Sequence, residues 1–319
     1  MGGLRVTLNQ LELLVSIADR GSVSATADFF AITQPTVSHQ IQQLEQELGT
    51  ELLRRKSRGM DLTEAGQIVV DAARSIIKQT KAIPGLVQDL KGLVQGSVTL
   101  GLSPVSPVST HHFPTIYQMF RNQYPEVSVS VMEEGSAELV EHLHDGRVDL
   151  AIMSLPVLGS RVDITPLWQE ELVLIDAANA RSDDQPKSLA FFHDRPWILF
   201  RAGFGLTRTV SALCQTAGFD PKPAAEASSL SAVIGFVISG LGVSIVPREA
   251  ALEHQHAGRV KILPITPRMS RIMALVTSSD AMLTPAGRSL AEVIWNYSRQ
   301  QEHPEVPASA SRRSQLFRH

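Results

Sequence analysis

Residues Ser22 to Gly66 read SVSATADFFAITQPTVSHQIQQLEQELGTELLRRKSRGMDLTEAG. Within this stretch Thr33 is an N-cap residue, and Pro35 falls in the first helical turn, where a missing N–H costs nothing. Val37, Ile41, Leu44 and Leu48 recur at helical spacing and predict one buried stripe. The opposite face carries Gln34, Thr36, Ser38, His39, Gln42 and Gln43, and Gly49 stands where a C′ glycine ends a helix. Taken alone, this is equally an amphipathic helix with a solvated, glutamine-rich face. Its neighbours decide the matter.

Leu8, Leu11, Leu14, Val15 and Ala18 give a preceding helix an apolar face, and Ser22 caps a second short helix, SVSATADFF. The turn Ala31-Ile32-Thr33 joins it to the polar-faced helix at the spacing of a helix-turn-helix, whose second helix enters a major groove. Short hydroxyl and amide side chains there meet base edges, glutamine being suited to adenine. After Gly49, two short apolar runs flank the basic tip Arg54-Arg55-Lys56-Ser57-Arg58, a small wing whose cations are placed to meet phosphate. The expected DNA-contact set is therefore Ser22, Thr33, Gln34, Pro35, Thr36, Ser38, His39 and Gln42 with Arg54, Arg55, Lys56 and Arg58.

The segment resembles the winged helix-turn-helix of LysR-type transcriptional regulators. The resemblance rests on Leu11 onward, Gly21-Ser22, Ala27, Thr33-Gln34-Pro35-Thr36-Val37-Ser38, Ile41, Leu44-Glu45, Leu48-Gly49, Leu52 with Arg55, and Leu62-Thr63-Glu64-Ala65-Gly66. Thr26-Ala27 and Leu52-Leu53 depart from the Ala-Ala and Leu-Phe pairs usual in that family.

A chain of 319 residues, 43% apolar, supports two or three folded units. No apolar run is long enough to span a membrane, and MGGLRVTLNQ lacks an apolar signal core, so a cytoplasmic location is expected. Cys214 is the sole cysteine, read as a buried, inert thiol, which excludes a disulfide within one chain. The formal net charge is −3, so phosphate contact depends on local placement of cations rather than on bulk charge. One weakly charged module binds feebly; a dimer reading two half-sites is expected.

Thr63 caps a further helix, along which Val69, Ala73, Ile76, Thr80, Ile83, Val87, Leu90 and Val94 alternate spacings of four and three. That is a heptad seam and predicts a two-stranded coiled coil, the other reading being a stripe packed on the chain's own body. Pro84-Gly85 predicts a kink or break. In the resembled family this linker helix is the dimer contact.

After Gln95-Gly96 strands and helices alternate. The predicted order is strand 97–102, helix 110–123, strand 127–132, helix 136–144, strand 148–153, strands 171–176 and 197–200, helices 207–217 and 230–239, strands 243–247 and 272–277, and helix 285–299. The fold class is α/β with a mainly parallel sheet, in two lobes that resemble a periplasmic binding protein. The expected organisation is a winged helix-turn-helix over 1–66, a linker helix over 67–95, an effector domain over 96–300 and a disordered tail over 301–319. Lobe I takes 96–165 and 270–300, and lobe II takes 166–269.

Ligands of such sheets sit beyond the carboxyl ends of strands, where helix N-termini offer free N–H groups. That address predicts Ser103, Pro104, Val105, Ser136 and Ser154 from lobe I, and Arg201, Gly203, Phe204, Thr207 and Val246 from lobe II. In the resembled regulators the positions of Ser103 and Ser136 commonly touch the effector. Helix N-termini with Arg201 or Arg208 favour a small anion such as a carboxylate. His111 and His112 are read as residues of the first helix of lobe I, either exposed at the surface or adding a pH-sensitive donor to the cleft.

No Gly-rich phosphate loop, spaced His/Cys metal cluster or nucleophile elbow is present, so neither an enzyme nor a cofactor is expected. The expected partners are double-stranded DNA, a small effector, a second copy or a tetramer of this chain, and RNA polymerase, with no membrane. A solute-binding protein of a transport system would share the two lobes but has no use for a reading helix.

Overall fold

A computed structural model describes residues 5–55, 59–89, 94–159, 161–180, 185–279 and 281–300. The contacts divide the chain into two units, Met1–Leu93 with His144–Arg147 and Val94–Leu143 with Val148–His319.

In the first unit, α1 (Leu8–Arg20), α2 (Val23–Phe29) and α3 (Gln34–Leu48) precede the hairpin β1 (Leu53–Arg55) and β2 (Met60–Leu62) and the long α4 (Glu64–Asp89). Each short helix starts on a side-chain cap: Thr7 Oγ1 accepts from Gln10 N, Ser22 Oγ from Ala25 N and Thr33 Oγ1 from Thr36 N. Gly49 closes α3 at φ 68°, the left-handed conformation that Cβ-bearing residues resist. Leu13, Leu14, Ile17, Ala27, Val37, Ile41, Leu44, Leu52 and Val70 form one core, each large side chain worth about 1.5–3 kcal/mol on burial.

Two expectations for α4 change. The helix is continuous from Glu64 to Asp89 and is not broken at Pro84-Gly85. The seam also divides: Ala73 is buried against Leu11 together with Ile77, so that side of the helix packs on the chain's own body. Ile76 and Ile83 of the expected seam are exposed, at 46% and 54%, and are joined by Ile68 at 67%. The side chains of Val87 and Leu90 lie outside the described residues, and Val94 packs against the core of the second unit.

The second unit is built on a seven-stranded sheet of order β10-β6-β11-β5-β3-β4, with β9 also paired to β6. Its strands are β3 (Gly96–Leu102), β4 (Val127–Glu133), β5 (Leu150–Ser154), β6 (Val162–Ala177), β9 (Ser244–Pro247), β10 (Val260–Leu263) and β11 (Met269–Ser278). Strands β7 (Trp197–Phe200) and β8 (Pro223–Ala227) form a parallel pair beside it. Helices α5 (Phe113–Gln123), α6 (Ser136–His144) and α10 (Pro285–Ser298) belong to lobe I, and α7 (Gly205–Thr216), α8 (Leu230–Ile238) and α9 (Arg248–His256) to lobe II. Among the described residues, only β3 with β4 and β3 with β5 run parallel within the large sheet; the other pairs are antiparallel, which corrects the expectation of a mainly parallel sheet.

The antiparallel strands are what join the lobes. β6 and β11 pair along their lengths, from Val162 opposite Ser278 to Leu172 opposite Met269. Separate cores lie on either side, one around Leu100, Ile116, Phe120 and Leu290 in lobe I and one around Trp197, Phe200, Val237 and Ile245 in lobe II. Residues 301–319 lie outside the described residues.

Candidate functional site

In the first unit, burial of Val37, Ile41 and Leu44 turns the other face of α3 outward, so Gln34, Pro35, Thr36, Ser38, His39 and Gln42 are exposed together. Thr33 and Thr36 share a hydroxyl contact of 2.8 Å while Thr33 caps the helix, and Ser22 is half-buried as the cap of α2. Glu45 Oε1 accepts from Leu52 N at 2.8 Å and Leu53 N at 3.2 Å, tying the reading helix to the wing. Arg54 donates through Nη2 to Asp61 Oδ2 at 2.9 Å across the hairpin, so it is held by a carboxylate. The Arg55 side chain, Lys56 and Arg58 lie outside the described residues.

In the second unit, the loop after β4 and the end of β5 meet the start of α7. An added Cβ on Gly205 would lie 2.4 Å from Ser154 Oγ, 3.2 Å from Ser136 Oγ and 3.8 Å from Arg208 Nη2. Only a residue without a side chain lets the two hydroxyls and the guanidinium converge there. Ser103, Ser136 and Ser154 are 5%, 3% and 4% exposed. Ser103 Oγ, Ser136 Oγ and Arg208 Nε are buried and have no hydrogen-bond partner among the described residues. Buried polar atoms left unpaired cost about 1–3 kcal/mol each, and two of these residues, Ser136 and Arg208, stand together beside Gly205. The first turns of α6 and α7 begin here and add the positive ends of two helix dipoles.

The other residues expected at the cleft do different work. Val105 and Val246 are fully buried in the lobe II core, and Phe204 packs against that core as the N-cap residue of α7. Thr207 Oγ1 donates to the carbonyl oxygens of Arg201, at 2.8 Å, and Phe200, at 3.2 Å, which holds the β7–α7 turn rather than a ligand. Arg201 is exposed. Pro104 contributes its carbonyl, which accepts from Leu230 N at 3.3 Å. Gly203 keeps a positive φ of 102°, and its carbonyl lies 3.5 Å from where a Cβ on Gly135 would stand. Sequence reasoning reads Gly205 only as part of the loop that starts α7 and reaches Arg208 only as an alternative cation; their signal is the i, i+3 spacing in the first turn of α7, which places both on the face toward Ser136.

Below the loop after β3 lies a buried ion pair. Arg271 on β11 binds Glu170, its cross-strand partner on β6, and both side chains are at most 3% exposed. Ser106 Oγ donates to Glu170 Oε1 at 3.2 Å, and Arg271 Nη2 to the Val105 carbonyl at 3.4 Å. His112, expected at the surface, is buried, with its ring against Trp168 and Tyr297.

Among the described residues no helix is long and apolar enough to cross a membrane, and no group of three or more His, Cys, Asp or Glu is arranged to hold a metal ion. Residues 8–67 match the model of the bacterial regulatory helix-turn-helix protein, lysR family, and residues 91–299 match the LysR substrate binding domain. The chain is 30% identical over 256 residues to an uncharacterized HTH-type transcriptional regulator, YcgK of Bacillus subtilis, covering 74% of this chain and 78% of that one. It is 27% identical over 306 residues to a hydrogen peroxide-inducible genes activator of Escherichia coli O157:H7, covering 91% and 95%. A solved full-length OxyR variant from Pseudomonas aeruginosa shares the fold with a TM-score of 0.74 at 24% identity, over 95% of this chain and 99% of that one. With an exposed polar reading helix in one unit and a two-lobed α/β domain in the other, the chain belongs to the LysR family of DNA-binding transcriptional regulators.

Proposed function

We propose that the exposed face of α3 reads bases and that a small anion, a carboxylate being the simplest, binds between the lobes at Ser103, Ser136, Ser154 and Arg208 to set DNA affinity or bending. The observation that carries the effector site is the meeting of Ser136 and Arg208 beside Gly205 at the N-termini of α6 and α7, with Ser136 Oγ, Arg208 Nε and, in the loop after β3, Ser103 Oγ all buried and unpartnered among the described residues. A carboxylate accepts from all of them and is favoured by the helix dipoles. Exposed Ile68, Ile76 and Ile83 on α4 form the seam through which two copies associate, so that two reading heads are presented together.

A peroxide signal of the kind named in the Escherichia coli relative does not carry over through a thiol. Cys214 is fully buried, and burial, reinforced by Asp220, pushes its thiol up to about 12. Oxidation by peroxide proceeds through an accessible thiolate, which Cys214 does not supply. Gly205, not a sulfur, stands where the cleft residues converge.

Isothermal calorimetry of the full-length protein against a panel of small mono- and dicarboxylates tests this reading. Binding by the wild type that is lost in Arg208→Ala and Ser136→Ala supports the cleft; binding that survives both variants places the effector elsewhere.

A further inference from the structure

His112 stands at the start of α5 in lobe I, yet its Nε2 lies 3.0 Å from Glu249 Oε2 on α9 of lobe II. Its Nδ1 lies 3.0 Å from the Tyr297 hydroxyl on α10 of lobe I, and its ring rests on Trp168 of β6 with centroids 4.7 Å apart. The ring is thus clamped on one side by lobe I, while its other nitrogen reaches across to lobe II. Glu249 Oε2 is itself buried and has no well-aligned hydrogen-bond donor among the described residues. What it has nearby is the ring, whose charge depends on a proton.

We propose that His112 and Glu249 form a proton-responsive bridge between the two lobes, with His112 a positioning residue that ties lobe geometry around the cleft to pH. A carboxylate oxygen supplies no proton, so in the neutral ring the hydrogen sits on Nε2 and Nδ1 accepts from the Tyr297 hydroxyl. When the ring takes a second proton, Nδ1 donates to the Tyr297 oxygen instead, which needs only rotation of that hydroxyl. Both protonation states keep the Tyr297 hydrogen bond, and the charged one adds attraction to Glu249, 3.0 Å away, in a partly desolvated setting.

The other groups facing the ring agree. From α9, Glu253 Oε1 lies 3.6 Å from His111 Nε2, a second pairing between the same two lobes. From α10, burial and the nearby Glu249 push the Tyr297 hydroxyl up, so it stays protonated over the working range. The His112 ring holds the Glu249 carboxyl below its ordinary value. A carboxyl so lowered keeps its charge to a lower pH than an ordinary one and turns neutral only as pH falls through its own lowered range, so the attraction between a charged ring and Glu249 is lost at the acid end.

The bridge goes beyond the effector reading and is tested without any ligand. Spin labels on Glu126→Cys in lobe I and Gln255→Cys in lobe II, both exposed sites, report the interlobe distance distribution by pulsed electron resonance in the full-length protein. Cys214, buried and protonated, does not compete for label. The expected result is a distribution that narrows between about pH 8 and about pH 5.5, with the step lost in both His112→Gln and Glu249→Gln. A wild-type distribution indifferent to pH, or a step that survives in either variant, overturns the bridge. If His112→Gln fails to fold by circular dichroism, Glu249→Gln, at a half-exposed position, decides alone.

Discussion

Gly205 and Arg208 show how single positions shape the cleft. A methyl group on Gly205 would stand 2.4 Å from Ser154 Oγ, well inside contact, so Gly205→Ala is expected to displace either the hydroxyl or the first turn of α7, at about 1–3 kcal/mol. Calorimetry with whichever carboxylate binds the wild type should show that binding lost in Gly205→Ala, while DNA binding without ligand stays within about twofold; unchanged carboxylate binding would place the ligand away from α7. A different cost attends Arg271. Its guanidinium and the Glu170 carboxylate are both nearly inaccessible, so Arg271→Ala leaves a buried charge uncompensated and is expected to lower stability by about 3–5 kcal/mol in a denaturant titration. A loss under about 1 kcal/mol would mean that water reaches Glu170. Of these residues the serines are legible as strand-end and helix-start positions. Arg271 is not, because nothing in a one-dimensional pattern says that Glu170 lies opposite it.

At the level of elements, short-range signals are legible and long-range ones are not. The helix Ser136–His144 and the strand Trp197–Phe200 can be read to the residue, since a Gly-Ser start or a bounded apolar run marks each. The pattern marks β6 only over 171–176. Its first half, with Pro166, Thr165 and Gln169, alternates weakly because it is paired with β11 in lobe I, and its second half enters a different core. β8, β10 and α9 escape the pattern because their polar residues face outward and their ordering comes from neighbours. The heptad reading of α4 has the right helix and part of the right face: Ile76 and Ile83 are exposed as a seam requires, but a period of 3.5 drifts against 3.6, and Ala73 is claimed by Leu11. The exposed face makes a sharp expectation. Ile76→Lys should shift the full-length protein toward monomer in analytical ultracentrifugation and lower operator affinity by at least about tenfold, because one module reads only half a site. Ala73→Lys should instead unfold the first unit; a stable, dimeric Ile76→Lys would refute the exposed seam.

Across the whole molecule, the two units assign separable jobs, and variants should separate them. Substitutions in α3 are expected to change which DNA is bound without changing carboxylate binding, and substitutions at Arg208 the reverse. The measurement that tests the central claim most directly is the affinity of the full-length protein for the DNA upstream of its own gene against a scrambled duplex at one fixed salt concentration. A regulator that reads sequence through α3 is expected to prefer the upstream DNA by about a thousandfold or more. Gln34→Ala should remove about 1–3 kcal/mol of that preference while leaving scrambled binding unchanged. Equal affinity for both duplexes, or an equal loss on both from Gln34→Ala, would contradict base reading by α3.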